Sequence, residues 1–419
     1  MQLKTILNRV QKHASFVYGS VEFVEEDSGV RLEVQIQPRA NGRAVCSGCG
    51  QRRPGYDTSS SPRRFQFVPL WGMRVYFVYN MRRVDCLDCG IVVERVPWAR
   101  GKQSLTTTYA WHLARWAKKL SWTDVAKSFR TSWDSVFRSV QMAVVWGLAH
   151  RELEDVRALG VDEVLWKRPY KFLTVVYQID QGRRRLLWVG QDRKVKTLLK
   201  FFRFWGTARS ARLKFICSDM WKPYLKVIAR KAGTAVHVLD RFHIMSNMNK
   251  AINEVRSKEV KRLKADGYEP VLKGMRYCLL KRPENLSAGQ ELKLADLLRY
   301  NLRAVRAYLL KEDFQSFWNY VSPAWAANFL DRWCTRTMRS QLEPMKRVAR
   351  SLRNHRELLL NWFRARDAIA AGATEGMNNK LKVITRRAYG FKAFKCVEIA
   401  LYHGLGDLPE PDTTHRFCG

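Results

Sequence analysis

The chain has 419 residues, of which 46% are hydrophobic, so it can bury a sizeable core in about two to four domains and is not a disordered protein. It carries 75 Lys and Arg residues against 38 Asp and Glu residues, a formal net charge of +37. Such an excess predicts a polyanionic partner, because each cation set against a phosphate releases condensed counterions. The N-terminus lacks the pattern of a secretion signal, and no apolar run is long enough to span a bilayer.

Residues 1–104 alternate β-like segments with two similar cysteine pairs, Cys46-Ser-Gly-Cys49-Gly and Cys86-Leu-Asp-Cys89-Gly. Each pair presents two thiolates on a tight turn that a glycine relieves, and four sulfurs predict a tetrahedral Zn²⁺ site. The zinc would be structural, since four protein ligands leave no position for a substrate. The stretch 50–85 between the pairs has room for a β-hairpin or ribbon. The alternatives are thiols placed by chance or a single redox dithiol.

Residues 105–150 predict helices, and within them 121–138 has the layout of a helix-turn-helix. A short helix over 122–129 is followed by a turn and by Ser132, which we expect to cap a second helix bearing Val136, Val140 and Val144. If this second helix enters a major groove, it exposes Trp133, Ser135 and Arg138 to DNA. Two helices that only pack together would show a similar pattern.

Residues 151–255 show five strand-like segments, and two helical segments separate the last three of them. The strands are ALGVDEVLW, YKFLTVVYQID, RRLLWVG, LKFICSD and TAVHVLD, and the helices are KTLLKFFRFW and PYLKVIARKAG. This order predicts a mixed sheet covered by helices. Residues 256–355 and 356–419 are predicted to be mainly helical, so the whole is a multidomain α/β protein.

Three acidic residues stand out by their context. Asp162 lies inside a predicted apolar strand, where burial of a carboxylate is costly and therefore suggests a function. Asp219 follows the strand LKFIC, and loops at strand ends often carry functional residues. Glu375 lies in the last helical region. Carboxylates from two strands and a helix can hold a pair of Mg²⁺ or Mn²⁺ ions, although spacing alone does not single out these three acids.

The segments GVDEV…YKFLTVVYQID, SDMWKPY, LDRFHI and TEGMNNKLKVITRRAYGF resemble those of bacterial insertion-sequence transposases of the ISL3 family. The resemblance extends over essentially the whole chain and includes the cysteine pairs and the helix-turn-helix. It implies an Asp-Asp-Glu (DDE) transposase whose catalytic core is similar to ribonuclease H.

The resemblance also implies the residue roles. Asp162, Asp219 and Glu375 would be the catalytic carboxylates and would bind two Mg²⁺ or Mn²⁺ ions. The long interval between Asp219 and Glu375 fits an all-α insertion over 256–355, which would interrupt a core formed by 151–255 and 356–419.

The expected partner is double-stranded DNA, both the terminal inverted repeats of the element and the target DNA. The zinc-ribbon-like module (1–104) and the helix-turn-helix (105–150) would recognise the ends, and a homodimer or larger assembly would hold the two ends together. The expected location is the bacterial cytoplasm, in association with the nucleoid.

Asp240 and His243 match a further Asp-x-x-His signature of many relatives, with a less settled role. The alternative is that Asp240 caps a helix beginning near Arg241 while His243 packs beneath it. Trp221 and Tyr224 could stack on a displaced base or pack in the core.

Residues near helical multiples of Glu375 predict a DNA-binding face on the same helix. These residues, with the basic stripe that extends them, are Asn378, Asn379, Lys382, Arg386, Arg387, Lys392 and Lys395.

Two other functions remain open from the sequence. A nuclease with the same core would cleave branched or damaged DNA without joining strands, but it would not need the amino-terminal modules for end recognition. A transcription regulator would use those modules above an inactive core, which the intact triad disfavours.

Overall fold

The computed structural model describes residues 3–27, 29–167, 169, 171–268, 271–366, 368–369 and 372–412. The chain divides into two compact units, one formed by 1–152 with 383–419 and the other by 153–382. No described helix combines the length and the apolar character that a membrane crossing requires.

The strands, in chain order, are β1 (Phe16–Glu26), β2 (Gly29–Pro38), β3 (Ala44–Val45), β4 (Arg52–Arg53), β5 (Gly55–Thr58), β6 (Arg63–Leu70), β7 (Met73–Tyr79), β8 (Arg82–Cys86), β9 (Gly90–Val93), β10 (Ala158–Lys167), β11 (Lys171–Gln178), β12 (Arg185–Gln191), β13 (Phe215–Ser218) and β14 (Val236–Leu239).

The helices are α1 (Leu3–Val10), α2 (Thr107–Lys119), α3 (Trp122–Ser128), α4 (Trp133–His150), α5 (Val195–Trp205), α6 (Thr207–Ala211), α7 (Lys222–Lys231), α8 (Arg241–Ala265), α9 (Arg276–Leu280), α10 (Ala288–Leu297), α11 (Arg303–Gln315), α12 (Pro323–Met338), α13 (Glu343–Asn354), α14 (Arg356–Ala365), α15 (Ala373–Arg387) and α16 (Phe394–Leu405). Short 3₁₀ turns lie at Pro283–Asn285 and Ser316–Asn319.

The first unit contains a four-stranded sheet in the order β1-β2-β7-β6. Its core is built around Trp98, which is fully buried. The rings of Phe16 and Tyr79 meet the Trp98 indole edge-on, at centroid distances of 4.9 and 5.4 Å. Strands β6 and β7 pair as an antiparallel hairpin between the two cysteine pairs, which confirms the hairpin predicted for 50–85.

Helices α3 and α4 of the first unit begin where the sequence predicts. Ser132 caps α4 by accepting a hydrogen bond from the Ser135 N–H. The valines of α4 face inward, since Val136, Val140 and Val144 are fully buried. The helix positions are therefore confirmed, while their use as a DNA-reading pair stays a prediction.

The second unit is organised around a five-stranded sheet in the order β12-β11-β10-β13-β14. Strands β10, β11 and β12 are antiparallel neighbours, and β13 and β14 run parallel to β10. This arrangement confirms the mixed sheet, and all five predicted strands are present. The carboxyl ends of β13 and β14 therefore lie at the same edge of the sheet.

Alternation along β10 sends its side chains to two different layers. Leu159 and Val161 pack with residues of α5 and α7 in the main core of this unit. On the other face, a Cβ atom at Gly160 would lie 2.7 Å from the Thr374 hydroxyl oxygen of α15. The close approach of α15 to the central strand thus depends on a residue without a side chain.

Helices α8 to α14 follow the sheet along the chain. Helices α9 to α13 lie within the predicted helical stretch 256–355, whereas α8 begins before it and α14 follows it. The boundary between the two units falls within α15, so residues 383–419 belong with 1–152. This division cuts across the last of the five predicted domains, 356–419.

Candidate active site and metal centre

The four predicted zinc ligands, Cys46, Cys49, Cys86 and Cys89, converge in the first unit. Their sulfur atoms all lie within 4.8 Å of one another, and the Sγ atoms of Cys49 and Cys86 are 3.6 Å apart. Four sulfurs around one Zn²⁺ ion stand about 3.8 Å apart, given Zn–S bonds of about 2.3 Å. The cysteines therefore fit a structural Zn²⁺ ion.

The structure explains why glycine occupies three positions in these turns. Gly50 and Gly90 adopt φ angles of +76° and +70°, which side chains disfavour. A Cβ atom at Gly48 would lie 2.7 Å from the sulfur of Cys89. The predicted tight Cys-x-x-Cys-Gly turns are thus confirmed.

The Cys86 thiol is tuned by two opposing effects. Burial raises its pKa, but the backbone N–H groups of Asp88 and Cys89, together with hydrogen bonds to the Cys49 and Cys46 side chains, outweigh that effect and bring the pKa down to about 7. A thiol that ionises near neutral pH suits a metal ligand, since the thiolate is the binding form.

Asp162 lies on the central strand β10 with only 4% of its surface exposed. Burial raises the pKa of its carboxyl, and the neighbouring His243 opposes that rise. Its Oδ2 accepts a hydrogen bond from the Asn378 amide of α15, and the Oδ1 of Asn378 accepts one from the Tyr177 hydroxyl at 2.9 Å. This buried chain of hydrogen bonds holds the carboxylate in a fixed position.

Asp240 and His243 occupy the start of α8, directly after β14. Asp240 caps the helix by accepting a hydrogen bond from the Phe242 N–H at 2.9 Å. The imidazole of His243 lies between two carboxylates, with Nδ1 at 3.1 Å from Asp240 and Nε2 at 3.7 Å from Asp162. The helix cap is thus present, and His243 also links two acidic side chains.

The charge around His243 follows from this position. The hydrogen bond to Asp240 and the negative charges of Asp162, Asp240 and Asp219 raise the pKa of His243 to about 9, against the opposing effect of burial. These contacts therefore favour a positively charged imidazole at neutral pH.

Asp219 follows β13 and accepts a hydrogen bond from the Trp221 N–H at 2.9 Å. The guanidinium of Arg193 lies 3.3 Å from Asp219 and 3.4 Å from Glu163, above the Trp221 ring. Burial, followed by the charge of Asp219, raises the pKa of the Glu163 carboxyl to about 8. Arg193 thus supplies the positive charge between two carboxylates.

Glu375 lies in the first turn of α15 and lines a cavity together with Asp240. Asn378, one turn further along α15, bonds to Asp162. Among the described residues, however, the four cysteines are the only set of three or more His, Cys, Asp or Glu side chains that could hold one ion. The Asp162, Asp219 and Glu375 carboxylates do not form such a set.

The predicted DNA-contacting residues differ in exposure. Trp133 is 41% exposed and stacks on Phe137 at 5.4 Å, whereas Ser135 is half-buried beside the cap of α4. The other exposed members of the predicted set are Arg138, Asn379, Lys382, Arg386, Lys392 and Lys395.

Arg387 differs from these exposed residues because it is half-buried and already engaged within the first unit. Its guanidinium donates hydrogen bonds to the carbonyl oxygens of Lys118 and Lys119, both at 2.9 Å, at the end of α2. Part of its hydrogen-bonding capacity therefore ties the end of α15 to α2.

Asn378, expected among the DNA-contacting residues, is buried, and both ends of its amide are engaged by Asp162 and Tyr177. The structure therefore places it as a support for Asp162. Tyr224 is also buried, and its hydroxyl lies 2.8 Å from that of Thr174, in agreement with the core-packing alternative.

Sequence reasoning missed Glu163, Arg193 and Tyr177. Glu163 carried a usable signal, because it is a second acid in an apolar strand next to Asp162. Arg193 and Tyr177 carried none, since their roles depend on contacts with residues distant along the chain.

Comparisons with known proteins agree with this architecture. The ISL3 family model described as "Transposase" matches residues 159–401, more than half of the chain. A second model, described as "zinc-finger of transposase IS204/IS1001/IS1096/IS1165", matches residues 42–89.

Two curated relatives are similar over most of their length. The chain is 28% identical over 405 residues to "Transposase for insertion sequence element IS1557" of Mycobacterium tuberculosis, covering 90% of this chain and 89% of the relative. It is 28% identical over 381 residues to "Transposase for insertion sequence element IS1001" of Bordetella parapertussis, covering 90% and 92%.

Proposed function

The chain belongs to the ISL3 family of DDE transposases, and on that premise we propose that it cuts the ends of its own insertion sequence and joins them to target DNA. Asp162, Asp219 and Glu375 are the proposed catalytic carboxylates. Hydrolysis at the element ends would free 3′-hydroxyl groups, which then attack the target strand.

One observation carries the assignment of the three acids. The Asn378 amide of α15 bonds to Asp162 on the central strand, and Glu375 lies one helical turn before Asn378. Asp219 follows β13, which pairs with β10. The contact between α15 and β10 thus supports a site to which two strand positions and one helix contribute.

The donor set fits hard divalent cations. Carboxylate oxygens are the ligands that Mg²⁺ and Mn²⁺ prefer, and all three proposed ligands are carboxylates. Of these, Asp219 lies beside the guanidinium of Arg193, and Asp162 lies beside the imidazole of His243. A bound pair of such ions would activate a water or 3′-hydroxyl and stabilise the leaving oxygen.

The chain's own residues position these carboxylates. Asn378 and Tyr177 fix the orientation of Asp162 through a buried hydrogen-bond chain. Asp240 orients His243 through Nδ1. Protonated His243 and Arg193 offset the mutual repulsion of the acids before metal binds.

We propose that the second unit has a ribonuclease H-like core, supported by the strand order β12-β11-β10-β13-β14 and by the parallel pairing of the last two strands. The proposed layout is a core at 151–255 and 356–419 with a helical insertion at 256–355, and the part of this core that belongs to the second unit ends at residue 382.

DNA-end recognition is proposed for the zinc module (1–104) and the helix-turn-helix (105–150). The net charge of +37 supports extensive phosphate contact. The exposed side chains of Trp133 and Arg138 support the placement of α4 in a major groove. A homodimer or larger assembly on DNA would hold both ends together.

The deciding experiment compares Asp219→Ala with Asp266→Ala, which removes the same charge from an exposed position at the end of α8. With a labelled element-end duplex and Mg²⁺, Asp219→Ala should cleave roughly a thousandfold more slowly, equivalent to about 4 kcal/mol of lost transition-state stabilisation.

Binding of the same duplex should be unchanged in Asp219→Ala, and Asp266→Ala should retain both activities. Equal loss of cleavage and binding in Asp219→Ala would contradict the separation of catalysis from end recognition.

A further inference from the structure

A cavity of about 310 Å³ in the second unit is lined by Glu375, one of the three candidate catalytic carboxylates. We call it the Arg241 pocket and define it by Arg241, Arg282, Phe242, Trp362, Asp240 and Glu375. Its volume is at the lower end of the range of about 300–1,000 Å³ that is typical of ligand sites.

Arg241 is half-buried in the wall of this pocket. Its guanidinium lies over the Trp318 ring, 5.1 Å from the centroid. Within the described parts of the chain, its buried Nε–H finds no acceptor. A guanidinium carries five N–H donors in a fixed fork, so a guanidinium with few protein acceptors keeps donors that can bind an anion through its outer N–H groups.

Arg282 supplies a second positive charge to the same pocket. Burial lowers the pKa of Arg241, and the nearby charge of Arg282 lowers it further. The ion pair of Arg282 with Glu284 is exposed and long, at 3.8 Å, and therefore weak. Two neighbouring guanidiniums repel each other, and an anion between them would remove that repulsion.

The pocket combines positively charged side chains with carboxylates, a distribution of charge that suits a DNA strand. The two arginines form a cationic region, and the carboxylates of Asp240 and Glu375 also line the pocket. Phe242 adds an apolar surface, with 46% of its area exposed. A phosphodiester strand reaching the carboxylates would set a neighbouring phosphate against the arginines.

We propose that Arg241 and Arg282 bind a backbone phosphate of the DNA strand that enters the active site, and so position the strand for cutting. The proposal rests on the proposed function and deepens it, since it names the part of the substrate that the pocket holds. Neither arginine acts on the reacting atoms, so both are positioning residues.

The test uses the full-length protein and element-end duplexes in which one phosphate at a time is replaced by a neutral methylphosphonate. Affinity is measured in EDTA and single-turnover cleavage in Mg²⁺. In the unchanged protein, a methylphosphonate at one linkage near the cut should lower both the DNA affinity and the cleavage rate by about ten- to a hundredfold. This is the effect expected for the loss of charge-assisted hydrogen bonds.

Arg282→Gln is the decisive variant because its side chain is exposed and its loss should not prevent folding. It should weaken the binding of unmodified DNA by a similar factor, and the methylphosphonate at that linkage should then cause less than about a twofold further loss. Arg299→Gln, an exposed arginine outside the pocket, should keep the full sensitivity of the unchanged protein.

Full linkage sensitivity in Arg282→Gln would overturn the proposal, and so would competition by inorganic phosphate without any linkage-specific effect. A protein that binds ends but never cuts them would instead contradict the proposed function, while the affinity measurements would still test the pocket.

Discussion

Replacement of the buried Asn378 by Ala tests how Asp162 is held. The change removes the amide donor to the Asp162 carboxylate and leaves the Tyr177 hydroxyl without its acceptor. A hydrogen bond to a charged group contributes about 1.5–3 kcal/mol, and an orphaned buried polar group costs about 1–3 kcal/mol. We therefore expect Asn378→Ala to lower the free energy of unfolding by about 3–5 kcal/mol in urea titrations.

The hydrogen-bond chain also predicts how Tyr177→Phe changes the stability of the Asn378→Ala variant. Tyr177→Phe removes the hydroxyl that Asn378→Ala orphans, so the double variant should be more stable than Asn378→Ala alone by about 1–2 kcal/mol. Single-turnover cleavage by Asn378→Ala should fall by about a hundredfold, because Asp162 is no longer held in place. A change in unfolding free energy below about 0.5 kcal/mol, or no recovery in the double variant, would refute this account.

His243 keeps its proton to about pH 9 in the folded protein but loses it near 6.5 when unfolded, so its contribution to the stability of the metal-free protein should be lost as pH rises from about 6.5 to 9. His243→Asn should therefore make the denaturation midpoint less dependent on pH across that range. Gly48→Ala should weaken zinc retention in a chelator competition, because its Cβ would press on the Cys89 sulfur, whereas Gly55→Ala, whose Cβ has open space, should not. Raising salt from roughly 50 to 200 mM should weaken DNA binding by about a thousandfold or more, and a flat response would argue against extensive phosphate contact.

Local patterns predict much of the fold. The apolar segments predict all five strands of the sheet in the second unit. Ser132 marks the start of α4, because its hydroxyl caps the first turn of the helix. The cysteine pairs predict the zinc site for a similar reason, since the turn chemistry is contained within each Cys-x-x-Cys-Gly segment.

Features that depend on distant residues could not be predicted from local patterns. Helical spacing places Asn378 among the exposed DNA contacts, but its burial is decided by β10 and by Tyr177, about 200 positions earlier. The placement of Arg193 between Glu163 and Asp219 likewise requires the folded sheet. The grouping of 383–419 with the first unit had no local signal either.

Iron-directed cleavage of the polypeptide measures most directly whether three distant carboxylates share one metal site. Fe²⁺ would replace Mg²⁺ in the complex with element-end DNA, and peroxide would then generate radicals that cut the backbone beside the bound metal. The account predicts cuts near Asp162, Asp219 and Glu375 that excess Mg²⁺ suppresses. Cuts near the two aspartates with none near Glu375 would contradict it.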